Sequence, residues 1–449
     1  MRCSLLAVTA LLAFGSLCRN APEKDVPSLL VITHATIVDT LDGALHTDMT
    51  VIIRDDRIAS IEKSSPKRWS NATVFDAHGK FLIPGLWDMQ VHLSWTTASA
   101  LPALVANGIT NVRDMGGRLE EIDEWRSKIS AGLLVGPEII RVGPMLNGKS
   151  FNRYQMVTGL PDETRGVVRT LKFIGVDGLE IERRVERDSY FALINEAKTQ
   201  GLPVGGHIPI TVKPEEASDA GQATIEHIET LFEGTFSAGL KDEELPDAID
   251  RFLSSGAADA MFARFSKNHT AFTPDIAMYG WSINALDPSV PSDPRSRFVA
   301  LSARNEFKAQ HISPEELNTL KRTFPQLVKV VGRMNHDGVI VLAGTDIAGP
   351  RIPGFSLHDE LSMLVTAGLT PLQALQAATL NPATVLHKTS EFGSIRSGLI
   401  ANLVMLDANP LENIDNTKRI SEVVLKGRLF RRRDLDLLLK KTEELASKS

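Results

Sequence analysis

Cysteine is almost missing from this chain: among 449 residues there are two, Cys3 and Cys18. Both fall in the opening stretch MRCSLLAVTALLAFGSLC, where one basic residue precedes an apolar run of signal-peptide length, short for a membrane span. A secretory signal over residues 1–21 is expected, and with it a secreted or periplasmic protein. Leu17 before Cys18 fits a lipoprotein box poorly, so a lipid anchor there is not expected. The mature chain then has no structural disulfide, no thiolate nucleophile, no thiolate metal site and no membrane span. Positive charge is not in excess either. A formal net charge of −6 removes the electrostatic case for nucleic acid or an anionic membrane. Short-period repeats and low-complexity tracts are absent.

What remains is ordinary globular material, 43% hydrophobic and 23% charged, enough for a large core. The length suits one large α/β barrel with a small appended domain, or two to three ordinary domains. Residues 29–64 are rich in Val, Ile and Thr and are broken by Asp-Gly and Asp-Asp, which reads as an antiparallel meander. Residues 391–428 repeat that texture at the other end of the chain. Between them, short apolar runs ending in polar residues alternate with helical patterns. The runs lie at 81–93, 109–114, 138–143, 177–182, 202–207, 223–227, 269–275 and 339–346. Gly201 and Gly368 are placed to end two of the helices. Eight strand–helix alternations predict a (β/α)8 TIM-type barrel with a small flanking β-sandwich built from both termini. The expected division is a signal over 1–21, the β-sandwich from 22–82 plus 389–430, the barrel over 83–388, and a C-terminal helix over 431–449.

In such barrels the chemistry sits at the C-terminal ends of the strands. Asp88, Gln90 and His92 alternate and so share one face of the first strand. That strand ends in Gln90 and His92, the fourth in Glu180, the fifth in His207, the sixth in His227 and the eighth in Asp346. Imidazoles and carboxylates gathered at one mouth suit Zn2+ and related divalent ions. Glu182, two positions beyond Glu180, shares its face and is the alternative to it.

These residues fall in longer motifs: PGLWDMQVH (84–92), GITNVRDMGG (108–117), GLPVGGHIP (201–209), TIEH (224–227), AGTD (343–346), PGFSLHDEL (353–361), LTPLQALQAATLNPA (369–383) and the tail ending in ANLV (401–404). On them the chain resembles the amidohydrolase superfamily, in its imidazolonepropionase-like and prolidase-like secreted branch. The resemblance covers nearly everything after residue 30. It implies a barrel with a flanking β-sandwich, a metal centre, and hydrolysis of C–N or ester bonds by a metal-bound hydroxide.

The chain departs from that pattern in three places. Gln90 stands where the family's first strand usually has the first histidine of His-x-His. Glu180 stands where a carboxylated lysine usually bridges two metals. Asn402 stands where the tail usually has Asp, a change expected to be structural. In the family's usual arrangement Gln90 removes a nitrogen ligand from one metal site. The other keeps His207 and His227, with Glu180 as its anion, and two histidines plus one glutamate form an established catalytic zinc set. One zinc is the expectation. A bridging Glu180 with two metals is the open alternative.

The resemblance implies a metal-dependent hydrolase of an amide, peptide or ester bond: an N-acyl amino acid, an Xaa-Pro-type dipeptide or a cyclic amide. Asp346 is expected to take the proton of the attacking water as general base. His92 is expected to hydrogen-bond the carbonyl oxygen as it becomes an oxyanion. Gln90, Arg351 and Tyr154 are the expected substrate-binding residues. The partner is then a small-molecule substrate. A homo-oligomer rests on analogy alone. The rival reading is a catalytically inactive binding protein of the same fold.

Overall fold

The computed structural model describes residues 29–448 other than 288, 309–311 and 349–350. The expected signal segment, with Cys3 and Cys18, lies outside the described residues. The Val- and Ile-rich opening folds as expected into a meander of β1 (Leu29–Val38), β2 (Leu45–Arg54) and β3 (Arg57–Lys63). The turn between the last two is made by Asp55 in the left-handed region, at φ 56°. That conformation costs aspartate less than most residues. β4 (Thr73–Asp76) and β5 (Phe81–Pro84) then both lie parallel to β1.

The middle of the chain changes texture. β6 (Leu86–Val91), β7 (Ile109–Asp114) and β8 (Glu138–Arg141) pair in parallel. Every residue of β6 and β7 is buried, as expected of parallel strands covered on both faces. β9 (Met145–Asn147), β10 (Gln155–Val157), β11 (Leu179–Ile181) and β12 (Val204–Gly206) form a second parallel group, ordered β10-β9-β11-β12. β13 (Thr224–Glu226) and β14 (Ala271–Thr273) form a third.

Backbone hydrogen bonds join these groups. Asp177 N donates to Arg141 O, Ala223 N to Val204 O, Phe272 N to Ile340 O, and Met89 N to Ala343 O. The segment around 340–347 therefore lies between β14 and β6. It was expected as an eighth strand, but among the described residues it makes only two isolated bridges, Val341 with Phe272 and Ile347 with Val91. Asp346 between them adopts φ 46°, which breaks an extended run at the position where its side chain turns inward.

Helices separate the parallel strands. Two of them, Pro161–Ile174 and Arg187–Gln200, end on left-handed glycines, Gly175 and Gly201, where a Cβ would be strained. Gly368, at φ 111°, follows the helix Phe355–Thr366. The largest apolar cluster runs through β6, β7, β11 to β14 and the helices outside them. Each fully buried Leu, Ile or Val in it contributes about 1.5–3 kcal/mol of transfer free energy. Within this interior Arg113 is tied to Met89 O, Thr224 Oγ1 and Glu226, so its charge is met from three sides.

The chain closes with β15 (Leu403–Leu406), β16 (Ile420–Leu425) and β17 (Arg428–Arg431). They extend the opening sheet in the order β17-β16-β15-β5-β1-β2-β3. The two ends of the chain thus share one hydrogen-bonded sheet. Asn402 sits at its join, accepting from Lys426 N at 2.7 Å and donating to Asn111 at 3.2 Å, a structural role. The last helix, Arg432–Ala446, packs on the helix Ala100–Ala106. Among the described residues no helix is long and apolar enough to cross a membrane.

Candidate active site

The C-terminal ends of the parallel strands surround a cavity of about 330 Å3. His92, Glu180, His207, His227, Asp346 and Arg351 all line it. Six of the eight sequence-derived site residues therefore meet in one place. Their burial comes from the strands, and their direction from the turns that follow.

His92 follows β6 and is fixed by its backbone N–H, which donates to Ile347 O. Its Nδ1 donates to Gly116 O at 3.1 Å, and its Nε2 lies 3.2 Å from Asp346 Oδ1. The other Asp346 oxygen lies 3.2 Å from an Arg351 nitrogen. Burial works against the Asp346 charge, but Arg351 and His92 outweigh it and hold the carboxyl well below the usual carboxylate range. Burial likewise opposes a charge on His92, and the Asp346 carboxylate reverses that, raising its pKa.

Glu180 lies in β11 opposite Gly205 of β12. Its Oε2 is buried and has no hydrogen-bond partner among the described residues. Burial pushes its pKa well up, reinforced by Glu182, Glu226, Asp346 and Asp114. Gly116 makes room for it: a Cβ there would stand 2.7 Å from Oε2.

His207 and His227 stack with ring centroids 4.8 Å apart. Both are held neutral. For His207 burial acts first, then His227 and Arg183; for His227 burial lowers the pKa to about 4. His207 Nδ1 is 3.4 Å from an Arg183 nitrogen. His227 Nε2 accepts from the Gln90 amide nitrogen at 2.8 Å. Gln90 is fully buried beneath the cavity and holds an imidazole.

Tyr154 is not among the cavity-lining residues. Its hydroxyl donates to Ser94 O at 3.2 Å, and its ring backs Trp95 at 4.4 Å. Trp95, which does line the cavity, also meets the His92 ring edge-on at 4.7 Å. Asp88 shares the inward face with Gln90 but pairs with Thr345, through the Oγ1 at 2.6 Å and the N–H at 3.1 Å. Glu182 lines the cavity beside Glu180 and accepts from Gln155. Sequence reasoning missed Trp95, Arg183, Glu229, Met278 and Asp275. All five follow strand ends, where alternation no longer tells direction.

The chemistry of this donor set suits a divalent cation: two neutral imidazoles and an unpartnered buried carboxylate oxygen, with further acids around it. The present side-chain positions are less accommodating. Among the described residues no group of three His, Cys, Asp or Glu side chains is disposed to hold an ion. The His227 Nε2 lone pair is engaged by Gln90. The donors fit in kind, and Gln90 must yield for His227 to join them.

A sequence profile of the amidohydrolase family matches residues 306–430. Over 90% of its length the chain is 22% identical to ochratoxinase of Aspergillus niger, of which it covers 87%. Among solved structures it is similar to a bottromycin amidohydrolase, with a TM-score of 0.76 and 21% identity, covering 94% of this chain and 91% of that one. It is also similar to a Xaa-Pro dipeptidase with bound methionine, with a TM-score of 0.68 and 21% identity, covering 90% and 100%. These neighbours imply an α/β fold of the (β/α)8 barrel type.

Proposed function

We propose that the chain, on its similarity to the amidohydrolase family, is a metal-dependent hydrolase of an amide, peptide or ester bond in a small molecule. One observation carries the reading: His92, Glu180, His207, His227 and Asp346, from separate strand ends, face a single cavity. The similarity to ochratoxinase lends support, as do the dipeptidase and the bottromycin amidohydrolase, whose names describe hydrolases of peptide or amide bonds. We take the parallel strands as one closed barrel over 83–388, the two-ended sheet as a separate small domain, and the N-terminal segment as a secretion signal.

His207, His227 and Glu180 would hold one divalent cation, zinc by donor type. Bound there, such an ion would polarise a carbonyl and acidify water. The chain's own residues do the rest. Asp346 is ionised and takes the proton of the attacking water, then returns it to the leaving amine or alkoxide. In the resting structure Arg351 shares that carboxylate. A substrate carboxylate that draws the guanidinium away frees Asp346 to act as base, so binding and activation are coupled. His92 is held in place by the Gly116 carbonyl and directs its Nε2–H along the cavity wall, where it donates to the carbonyl oxygen as negative charge develops. Trp95, backed by Tyr154, excludes water from that wall.

The test is elemental analysis of protein purified without added metal, followed by a panel of N-acyl amino acids and dipeptides assayed with and without Zn2+. About one metal per chain is expected, with turnover that Asp346→Asn abolishes. A well-folded chain with no metal and no turnover sinks the proposal. The engagement of His227 by Gln90 and of Asp346 by Arg351 favours a second reading, a barrel that binds a small anion without hydrolysing it. On that reading Asp346→Asn leaves binding intact and no metal copurifies.

A further inference from the structure

Asp275 lies just past β14, is fully buried, and adopts φ 50°. Among the described residues neither of its carboxylate oxygens has a hydrogen-bond partner, and neither does His227 Nδ1. Yet Asp275 Oδ2 stands 3.4 Å from that same Nδ1. Three otherwise orphaned buried polar atoms therefore face one another. A buried polar atom without a partner is costly, so a bond between them relieves a loss on both sides. His227 itself adopts φ 64°, and the two left-handed residues bring their side chains together. Gly344 completes the arrangement. A Cβ there would stand 2.6 Å from Asp275 Oδ1 and 3.1 Å from Gln90 Cβ, so only glycine lets both approach the imidazole.

His227 is thus addressed at both ring nitrogens, by a carboxylate on Nδ1 and by an amide N–H on Nε2. An amide N–H requires an acceptor, so Nε2 carries the lone pair and Nδ1 the proton. We propose that Asp275 is a positioning residue that accepts the Nδ1 proton of His227, fixes its tautomer, and keeps the Nε2 lone pair aimed at the cavity. Gln90 occupies that lone pair at rest and is displaced when a cation arrives. Carboxylates behind metal-binding imidazoles act in this way, and removing one typically lowers cation affinity 10–100-fold. The part concerning a cation rests on the function proposed above; the tautomer does not.

Two measurements separate the two ideas. The first is zinc affinity, by competition with a chelator, for the full chain and its Asp275→Asn, Asp275→Ala, His227→Gln and Gln90→Ala variants. Asp275→Asn is nearly isosteric and guards against a folding defect. It is expected to bind zinc about 10–100-fold more weakly, with no further loss when combined with His227→Gln. Gln90→Ala is expected to bind more tightly. Unchanged affinity in Asp275→Asn, or losses that add in full with His227→Gln, overturns the inference. The second is the NMR tautomer of His227 in metal-free protein labelled at histidine nitrogen, assigned by loss of its signals in His227→Gln. Nδ1–H is expected in the wild type and a mixture in Asp275→Asn. If the wild type binds no zinc but the tautomer responds, the metal reading fails and the role of Asp275 stands. If the tautomer does not respond, Asp275 has no such role.

Discussion

His92 Nε2 and Asp346 Oδ1 stand 3.2 Å apart, although one follows the first parallel strand and the other lies in the last extended segment of the series. Backbone bonds from Met89 to Ala343 and from His92 to Ile347 bring those segments side by side. The meeting of carboxylate and imidazole is therefore a product of the backbone pairing between those two segments, and Arg351 is the third member of the group.

Arg351 sets the ionisation of Asp346, which gives the first prediction. A base works only while ionised, so activity falls on the acid side as Asp346 takes up a proton. The wild-type carboxyl lies below its usual range, and the acid limb of the pH–rate profile lies correspondingly low. Arg351→Met removes the favourable charge, raises the Asp346 pKa and moves that limb upward by about 1–2 pH units. A profile of kcat/KM carried as far below pH 4 as the fold survives measures it. An unmoved limb separates Arg351 from the base.

Asp88 offers a test of the framework below the site. Burial pushes its carboxyl up to about 7. An acid raised in the folded state keeps its proton when the unfolded chain, at about 3.9, has lost it. Stability therefore falls as pH rises between those two values. Asp88→Asn retains an acceptor for the N–H groups of Gln90 and Thr345 and offers a donor to the Thr345 hydroxyl. The variant is expected to match the wild type near pH 4 and exceed it at pH 8. Urea unfolding at the two pH values checks this.

Much of the site was legible because alternation and strand ends follow from backbone geometry. Gln90, His92, Glu180, His207 and His227 needed only the assignment of parallel strands and the rule that function gathers at their C-terminal ends. What was not legible depends on single backbone torsions. His227, Asp275 and Asp346 all have positive φ, and a period of two says nothing about where such residues point. For that reason Asp275 is not legible as a site residue. Alternation puts Asp88 on the inward face, but pairing with Thr345 takes it out of the cavity. Tyr154, expected to bind substrate, stands behind Trp95 and does not line the cavity.

Gly116 is the narrowest point of the wall around Glu180. At φ 134° it is in a region side chains avoid, and an added Cβ would stand 2.4 Å from Met145 Cγ as well as 2.7 Å from Glu180 Oε2. Gly116→Ala is expected to cost about 1–3 kcal/mol of stability and to displace Glu180. Thermal unfolding reads the first effect, and loss of the zinc-dependent rise in melting temperature reads the second. Retention of both would mean that the wall has slack.

Glu180 itself carries opposite consequences for folding and for function. Its buried oxygen lacks a partner among the described residues, and burial together with the charges of Glu182, Glu226, Asp346 and Asp114 penalises its ionised form. Without a cation that group opposes folding; with one, on the proposed function, it would supply the anion of the site. Replacing it by an amide of the same shape removes the charge and the penalty together. Glu180→Gln is therefore expected to melt at a higher temperature than the wild type in chelator, since the substitution relieves a functional strain. In zinc the order reverses, because ligand binding stabilises only the protein that can bind. Melting curves of both proteins, with chelator and with zinc, give four numbers. If zinc raises the melting temperature of Glu180→Gln as much as that of the wild type, Glu180 is not a ligand. If chelator leaves the two equal, the buried carboxyl was never strained.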